Sequence, residues 1–139
     1  MTYTEYSVIM IAQLDIERNF EEEKRMKKID EQTAKHFFAG TPMKTKNTEV
    51  ITDWIDDRTY RIKVLLHGNL IAYRDEREDQ VRSGFFMTTL AGWNTQTTKA
   101  RVNGLLDYSG QWVRYHQVKG VLHLGDTPVS PSDWARFSY

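Results

Sequence analysis

The tripeptide Gly40-Thr41-Pro42 separates two hydrophobic periods in the chain. Gly accepts the left-handed conformation that ends a helix and Pro cannot continue the hydrogen-bond ladder, so no helix is expected to cross this point. Upstream, Ile9, Ala12, Ile16 and Phe20 recur every three to four residues behind a Thr2/Glu5 capping-box pair, which predicts an N-terminal helix. Over residues 21–35 charge dominates. Glu21 and Arg25, Glu23 and Lys27, and Glu31 and Lys35 stand four apart in the favourable order, each pair contributing about 0.2–0.5 kcal/mol to a solvated face. Met26, Ile29 and Phe37 are the inward candidates, and the helix is expected to end near Phe38. Unbroken, it would run about 50 Å at about 1.5 Å per residue. That is longer than a compact domain of this size and implies a kink, two helices or a dimer interface.

Downstream, residues 43–48 read as a linker, and from Glu49 the period is two. Val50, Thr52 and Trp54 alternate with Glu49, Ile51 and Asp53, then Asp56 and Asp57 mark a turn. Tyr60, Ile62, Val64 and Leu66 alternate with Arg61, Lys63 and Leu65. His67, Gly68 and Asn69 make a tight connection to residues 70–73, and a charged run from Asp75 to Arg82 leads to residues 85–90, giving a meander of three or four strands. Asn94 and Thr95 are placed to cap a second helix that buries Ala100, Val102, Leu105 and Leu106 and stops at Ser109 and Gly110. A last hairpin joins residues 112–118 to residues 121–124 through Lys119 and Gly120. Pro128 and Pro131 predict an irregular arm from Gly125 to Tyr139, anchored by Trp134, Phe137 and Tyr139. The expected fold class is α+β, with a long N-terminal helix, antiparallel β-meander, second helix and C-terminal β-hairpin. The expected organisation is one domain over residues 1–139: a helical segment (1–40), an α+β core (49–124) and the arm (125–139).

Composition narrows the chemistry. A chain of 139 residues can bury roughly two-thirds of its unfolded surface, enough for a core without staples. With no cysteine, a disulfide framework, a thiolate nucleophile, an iron–sulfur cluster and a cysteine-bearing zinc site are excluded. The first residues lack a basic segment followed by an apolar run and a small-residue cleavage site, and no stretch approaches the roughly 20 apolar residues of a membrane helix, so a cytoplasmic protein away from membranes is expected. The formal charge is zero, which argues against a polybasic coat on DNA. The charge is nevertheless graded. Residues 1–79 hold thirteen basic and sixteen acidic side chains and residues 80–139 hold six and three, which leaves room for a basic face in the second half.

The densest polar constellation surrounds the expected strand-to-helix junction: Thr88, Thr89, Asn94, Thr95, Gln96, Thr97, Thr98, Lys99 and Arg101. A helix start offers free N–H groups and partial positive charge, so Asn94, Thr95, Thr97, Thr98, Lys99 and Arg101 are candidate ligands for a phosphate or other anion. The same residues also suit a helix cap and a rigid corner between sheet and helix. Arg114, His116 and Lys119, with His123, form a second candidate cluster on the last hairpin. There the period-two rule puts Arg114 and His116 on one face beside Trp112 and Val118, an interleaving of bases and aromatics that suits a nucleic acid strand. His36, His67, His116 and His123 show no H-x-x-x-H or H-E-x-x-H spacing, so no metal is expected, and His36 reads as an end-of-helix residue facing terminal carbonyls. No serine stands in a G-x-S-x-G frame and neither a P-loop nor G-x-G-x-x-G is present, so no catalytic residue and no cofactor is expected. Asp53, Asp56 and Asp57 read as turn residues.

The stretch from Leu66 to Ala72, followed by Thr88 to Leu106, resembles a group of short proteins encoded in tailed-bacteriophage genomes, in which a hairpin precedes a T-L-A-G-W-x-T-x-T-T-x-x-R-x-N-x-L segment. Every fixed position of that segment is present between Thr89 and Leu105. The resemblance covers residues 60–124 and implies a phage accessory protein acting in the host cytoplasm; it carries no catalytic residue across. Two functions are expected from the residues. The first is non-enzymatic binding of nucleic acid or a nucleotide by the Thr/Asn/Arg junction and the basic hairpin. The second is inhibition or regulation of a host enzyme through the N-terminal helix or the aromatic tail. Phe37, Phe38 and the tail aromatics lie where a second chain can pack, so a homo-oligomer is also expected.

Overall fold

The computed structural model describes residues 27–78 and 84–139. The expected helix through Phe20, its capping box, Met26, the Glu21/Arg25 pair and one half of the Glu23/Lys27 pair lie outside the described residues. Helix α1 (Lys28–Ala39) ends as its sequence predicts, with Gly40 at φ 75° accepting the left-handed cap and donating its N–H to the His36 carbonyl. Its buried face is Asp30, Thr33, Ala34 and Phe37, one helical stripe. This corrects the expectation of Ile29 as an inward residue. Ile29 is half-buried, while the polar Asp30 and Thr33 go inside because each has a partner there. The Thr33 hydroxyl donates to the Ile29 carbonyl at 2.7 Å, and Asp30 meets an arginine described below.

The strands are β1 (Met43–Lys44), β2 (Thr48–Trp54), β3 (Thr59–Leu66), β4 (Asn69–Arg77), β5 (Phe85–Thr88), β6 (Tyr115–Val118), β7 (Val121–Leu124), β8 (Thr127–Pro128) and β9 (Ala135–Ser138), and helix α2 (Gln96–Tyr108) lies between β5 and β6. Two antiparallel sheets result, one of six strands in the order β1-β2-β3-β4-β5-β9 and one of three in the order β6-β7-β8. The fold is therefore α+β, with a helix, a meander, a second helix and C-terminal strands. The period-two segments pair as their patterns require: Val50 faces Val64 across β2 and β3, and Val64 faces Ala72 across β3 and β4. The two-residue turns of the β3–β4 and β6–β7 hairpins have positive φ at both positions, His67 at 51° with Gly68 at 79° and Lys119 at 51° with Gly120 at 82°. This is the backbone twist that closes a tight hairpin.

Two segments differ from expectation. The linker 43–48 contains β1, which pairs with the far side of β2 through Met43 and Val50. The arm 125–139 is not irregular: β8 adds Pro128 to an edge of the small sheet, where a missing N–H is tolerated, and β9 completes the large sheet against β5 with Phe86 facing Phe137. The order comes from Pro131, whose carbonyl accepts the Leu90 and Gly92 N–H groups and the Thr89 hydroxyl. Phe37, Phe38, Phe86, Phe137 and Tyr139 then interlock edge-to-face and stacked, with Phe38 and Phe86 centroids 5.2 Å apart. Core residues Val50, Ile62, Val64, Ala72 and Phe86 from the sheet meet Ala34, Phe37, Val102, Leu105 and Leu106 from the helices. Among the described residues no helix is long and apolar enough to cross a membrane.

Candidate functional site

The polar junction at the start of α2 is divided: Thr98 and Arg101 are buried, Asn94 and Lys99 half-buried, and Thr95 and Thr97 exposed. Thr95 is the N-cap: its hydroxyl oxygen accepts the Thr98 N–H at 3.2 Å and lies 2.9 Å from the Thr98 hydroxyl, which is itself buried. Arg101 is 5% exposed. Its guanidinium donates to the Asp30 carboxylate at 2.5 Å and to the Thr48 hydroxyl at 3.0 Å, so it joins α2 to α1 and β2. Arg101, expected among the anion ligands, is thus placed with its guanidinium on two buried partners, Asp30 and Thr48. Thr97 is exposed and Lys99 half-buried on the outer part of the helix, and Asn94 keeps a buried side-chain oxygen without a hydrogen-bond partner among the described residues. Ala91 and Gly92 turn the chain through positive φ (54° and 84°) directly before Trp93. The junction is thus the hydrogen-bonded corner that fixes sheet, helix and C-terminal turn together.

The small sheet gathers the exposed polar residues. Asn103 of α2 holds β6 by donating to the Tyr115 carbonyl at 3.0 Å and accepting the Tyr115 N–H at 2.8 Å, and the Tyr115 phenol reaches the Thr88 hydroxyl at 3.1 Å. Burial pushes that phenol above its ordinary pKa, because the phenolate would be poorly solvated there. Beside this anchor lies an open pocket of about 380 Å³, lined by Asn103, Trp112, Val113, Arg114, Tyr115, His116, Gly125 and Asp126. Trp112 is 84% exposed. Arg114 stands on the rim, with its guanidinium 3.3 Å from the Asp107 carboxylate. His116 and His123 face each other across β6 and β7. Lys119, at the hairpin turn, does not line the pocket. The structure therefore brings Arg114 and His116 together, and it leaves Lys119 and the α2 junction apart from that pocket. The expected strand from residue 112 begins only at Tyr115, so Trp112 and Arg114 reach the pocket from the segment before β6, and Gly125 and Asp126 reach it from the β7–β8 turn.

A family model for the Kyanoviridae Gp96 protein matches residues 26–137. The chain belongs to this family. The match is to a phage protein family and supports a phage accessory protein, and in this Gp96 family member it takes in helices α1 and α2, strands β1 to β8, most of β9 and the pocket. No curated protein and no solved structure matches the chain.

Other candidate residues of this Gp96 family member have internal roles. Asp53 pairs with Lys63 at 2.6 Å, and Asp56 accepts the N–H groups of Arg58 and Thr59, which hold its carboxyl below the usual range. His36 meets the Thr41 hydroxyl at 2.7 Å instead of a terminal carbonyl. The carbonyls at the end of α1 are capped by Arg74, buried on β4, which donates to the Phe37 and Phe38 oxygens at 3.0 Å each and also pairs with Glu76. This cation at the negative end of the helix dipole had no sequence signal, since strand and helix end are more than thirty residues apart. Of the aromatic tail, Phe137 and Tyr139 pack inside, and Trp134 lies edge-on to Tyr73. Among the described residues no group of three or more His, Asp or Glu side chains is arranged to hold a metal ion.

Proposed function

We propose that this phage accessory protein binds single-stranded nucleic acid, or a nucleotide, at the pocket beside β6. The observation that carries the reading is the convergence of an exposed indole, Trp112, with the Arg114 guanidinium and the His116 imidazole around one open pocket. An indole stacks on any base, and the Arg114 guanidinium, 3.3 Å from the Asp107 carboxylate and more than half exposed, carries five N–H donors that suit a phosphate. Net charge near zero suits a local contact of this size better than a long phosphate track. Lys119 stands at the turn beyond His116, about 10 Å along the hairpin at about 3.4 Å per residue, where it adds a cation on the path of a strand leaving the pocket.

Fluorescence anisotropy with labelled single-stranded DNA, single-stranded RNA and duplex, and competition by nucleotides, tests this at two salt concentrations. Trp112→Ala is expected to weaken binding by about tenfold or more, since a stacked base contributes about 1–3 kcal/mol. Arg114→Ala is expected to reduce the salt slope by about one. Absence of binding at low salt, or unchanged affinity in both variants, sinks the proposal.

A second reading, regulation of a host enzyme, is supported by Trp54 and Ile55, which stand 58% and 51% exposed at the β2–β3 turn. Such anchors are typical of protein interfaces. A host protein recovered from bacterial lysate by the wild-type chain and lost with Trp54→Ala/Ile55→Ala is the expected result. Equal recovery by both chains refutes that surface.

A further inference from the structure

His116 and His123 are directly opposed in the β6–β7 ladder, with ring centroids 5.8 Å apart and planes inclined by 36°. Each ring has one nitrogen on a backbone carbonyl: His116 Nε2 lies 2.7 Å from the Gly125 oxygen and His123 Nδ1 lies 2.9 Å from the Val121 oxygen. A carbonyl oxygen only accepts, so both of these nitrogens carry the proton. In the neutral rings the lone pairs then sit on His116 Nδ1 and His123 Nε2. This is the arrangement found around metal-ligating histidines, whose second N–H is tied to a carbonyl or carboxylate that fixes tautomer and ring orientation. A metal held about 2.1 Å from each coordinating nitrogen at a tetrahedral angle places two ring centroids about 5.3 Å apart, about half an ångström closer than they stand here, a gap that a small rotation of the exposed ring closes.

We propose that His116 and His123 form a two-histidine site for a divalent transition metal of the zinc and nickel class. Imidazole nitrogens suit these ions. The hairpin supplies the chelate: its two-residue turn at Lys119 and Gly120 fixes the register that sets the rings opposite each other, so the second ligand is already in place once the first has bound. His116 is exposed and His123 half-buried at the surface, which leaves the remaining coordination positions to water. Helical spacing rules miss such a pair, because seven positions in sequence become neighbours only through strand pairing. The site stands independently of whether the neighbouring pocket takes a base.

The test uses the tag-free full chain, stripped with chelator and titrated with zinc or nickel chloride by calorimetry, with imidazole nitrogen resonances followed by NMR for diamagnetic zinc. The expected result is a zinc-dependent shift of His116 Nδ1 and His123 Nε2 while the other two nitrogens keep their protons. Single His116→Gln and His123→Gln variants are expected to weaken binding by about tenfold or more through loss of the chelate, and His67→Gln to leave it unchanged. Glutamine retains an N–H donor for the carbonyl, so the hairpin is preserved, as a matching amide fingerprint would confirm. Zinc binding that leaves the two named nitrogens unmoved, wild-type affinity in the double variant, or no binding at millimolar metal each overturns the proposal.

Discussion

Arg101 and Asp30 each lie in water's absence, and each is tolerable there only because of the other. Desolvation of two charges is repaid by close attraction and by the further bond to Thr48. Removing one partner strands the second. Arg101→Met is therefore expected to destabilise the fold by about 3–5 kcal/mol, read as a lower urea midpoint at unchanged slope, while Asp30→Asn/Arg101→Met recovers part of the loss. The sequence offers Arg101 both as a candidate anion ligand and as part of a rigid corner between sheet and helix. Nothing local separates the two, because the deciding carboxylate is 71 positions away. Thr95 was legible as a cap, since capping depends on residues within one turn. Arg114 and His116 are near neighbours in sequence, whereas the pocket they line also needs Gly125 and Asp126, which only the pairing of β6 with β7 brings alongside.

Between elements, Gly104 of α2 packs directly on the Asp30 backbone of α1. A Cβ there would lie 3.1 Å from the Asp30 Cβ and 3.2 Å from the Asp30 carbonyl oxygen. Helix α1 cannot easily retreat, because Asp30 is tied to Arg101 one turn away on α2 and Arg74 holds the other end of α1. Gly104→Ala is accordingly expected to lower stability by about 1–3 kcal/mol through overpacking, outweighing the better helix propensity of alanine; a thermal melt showing a raised midpoint would refute this. Strands β2, β3 and β4 were legible because Val50, Ile62, Val64 and Leu66 alternate cleanly and Asp56 and Gly68 mark their turns. Strand β9 was not. Its four residues are too few to show a period, and the prolines that precede it signal irregular chain, while its position depends on the distant carbonyl interactions of Pro131.

At the scale of the molecule, the two sheets meet through Asn103, Tyr115 and Thr88. Asn103→Ala leaves the buried Tyr115 N–H and carbonyl without side-chain partners, a loss of about 1–3 kcal/mol per group. The expected outcome is faster amide exchange in β6 and β7 with protection in β3 and β4 retained; uniform loss of protection would show that the small sheet does not open separately. The pocket would be distorted with it, since Asn103 and Tyr115 are among its walls.

The span of the Asp30–Arg101 pair has a kinetic consequence. A contact across 71 positions closes only after the meander between its ends has formed, because loop-closure entropy must be met before the contact rewards it. Until then carboxylate and guanidinium stay hydrated, and both must shed water in the final step. Opening reverses that step and breaks the pair before solvent can replace it. A pair that closes this late is expected to slow unfolding while leaving the folding rate little changed.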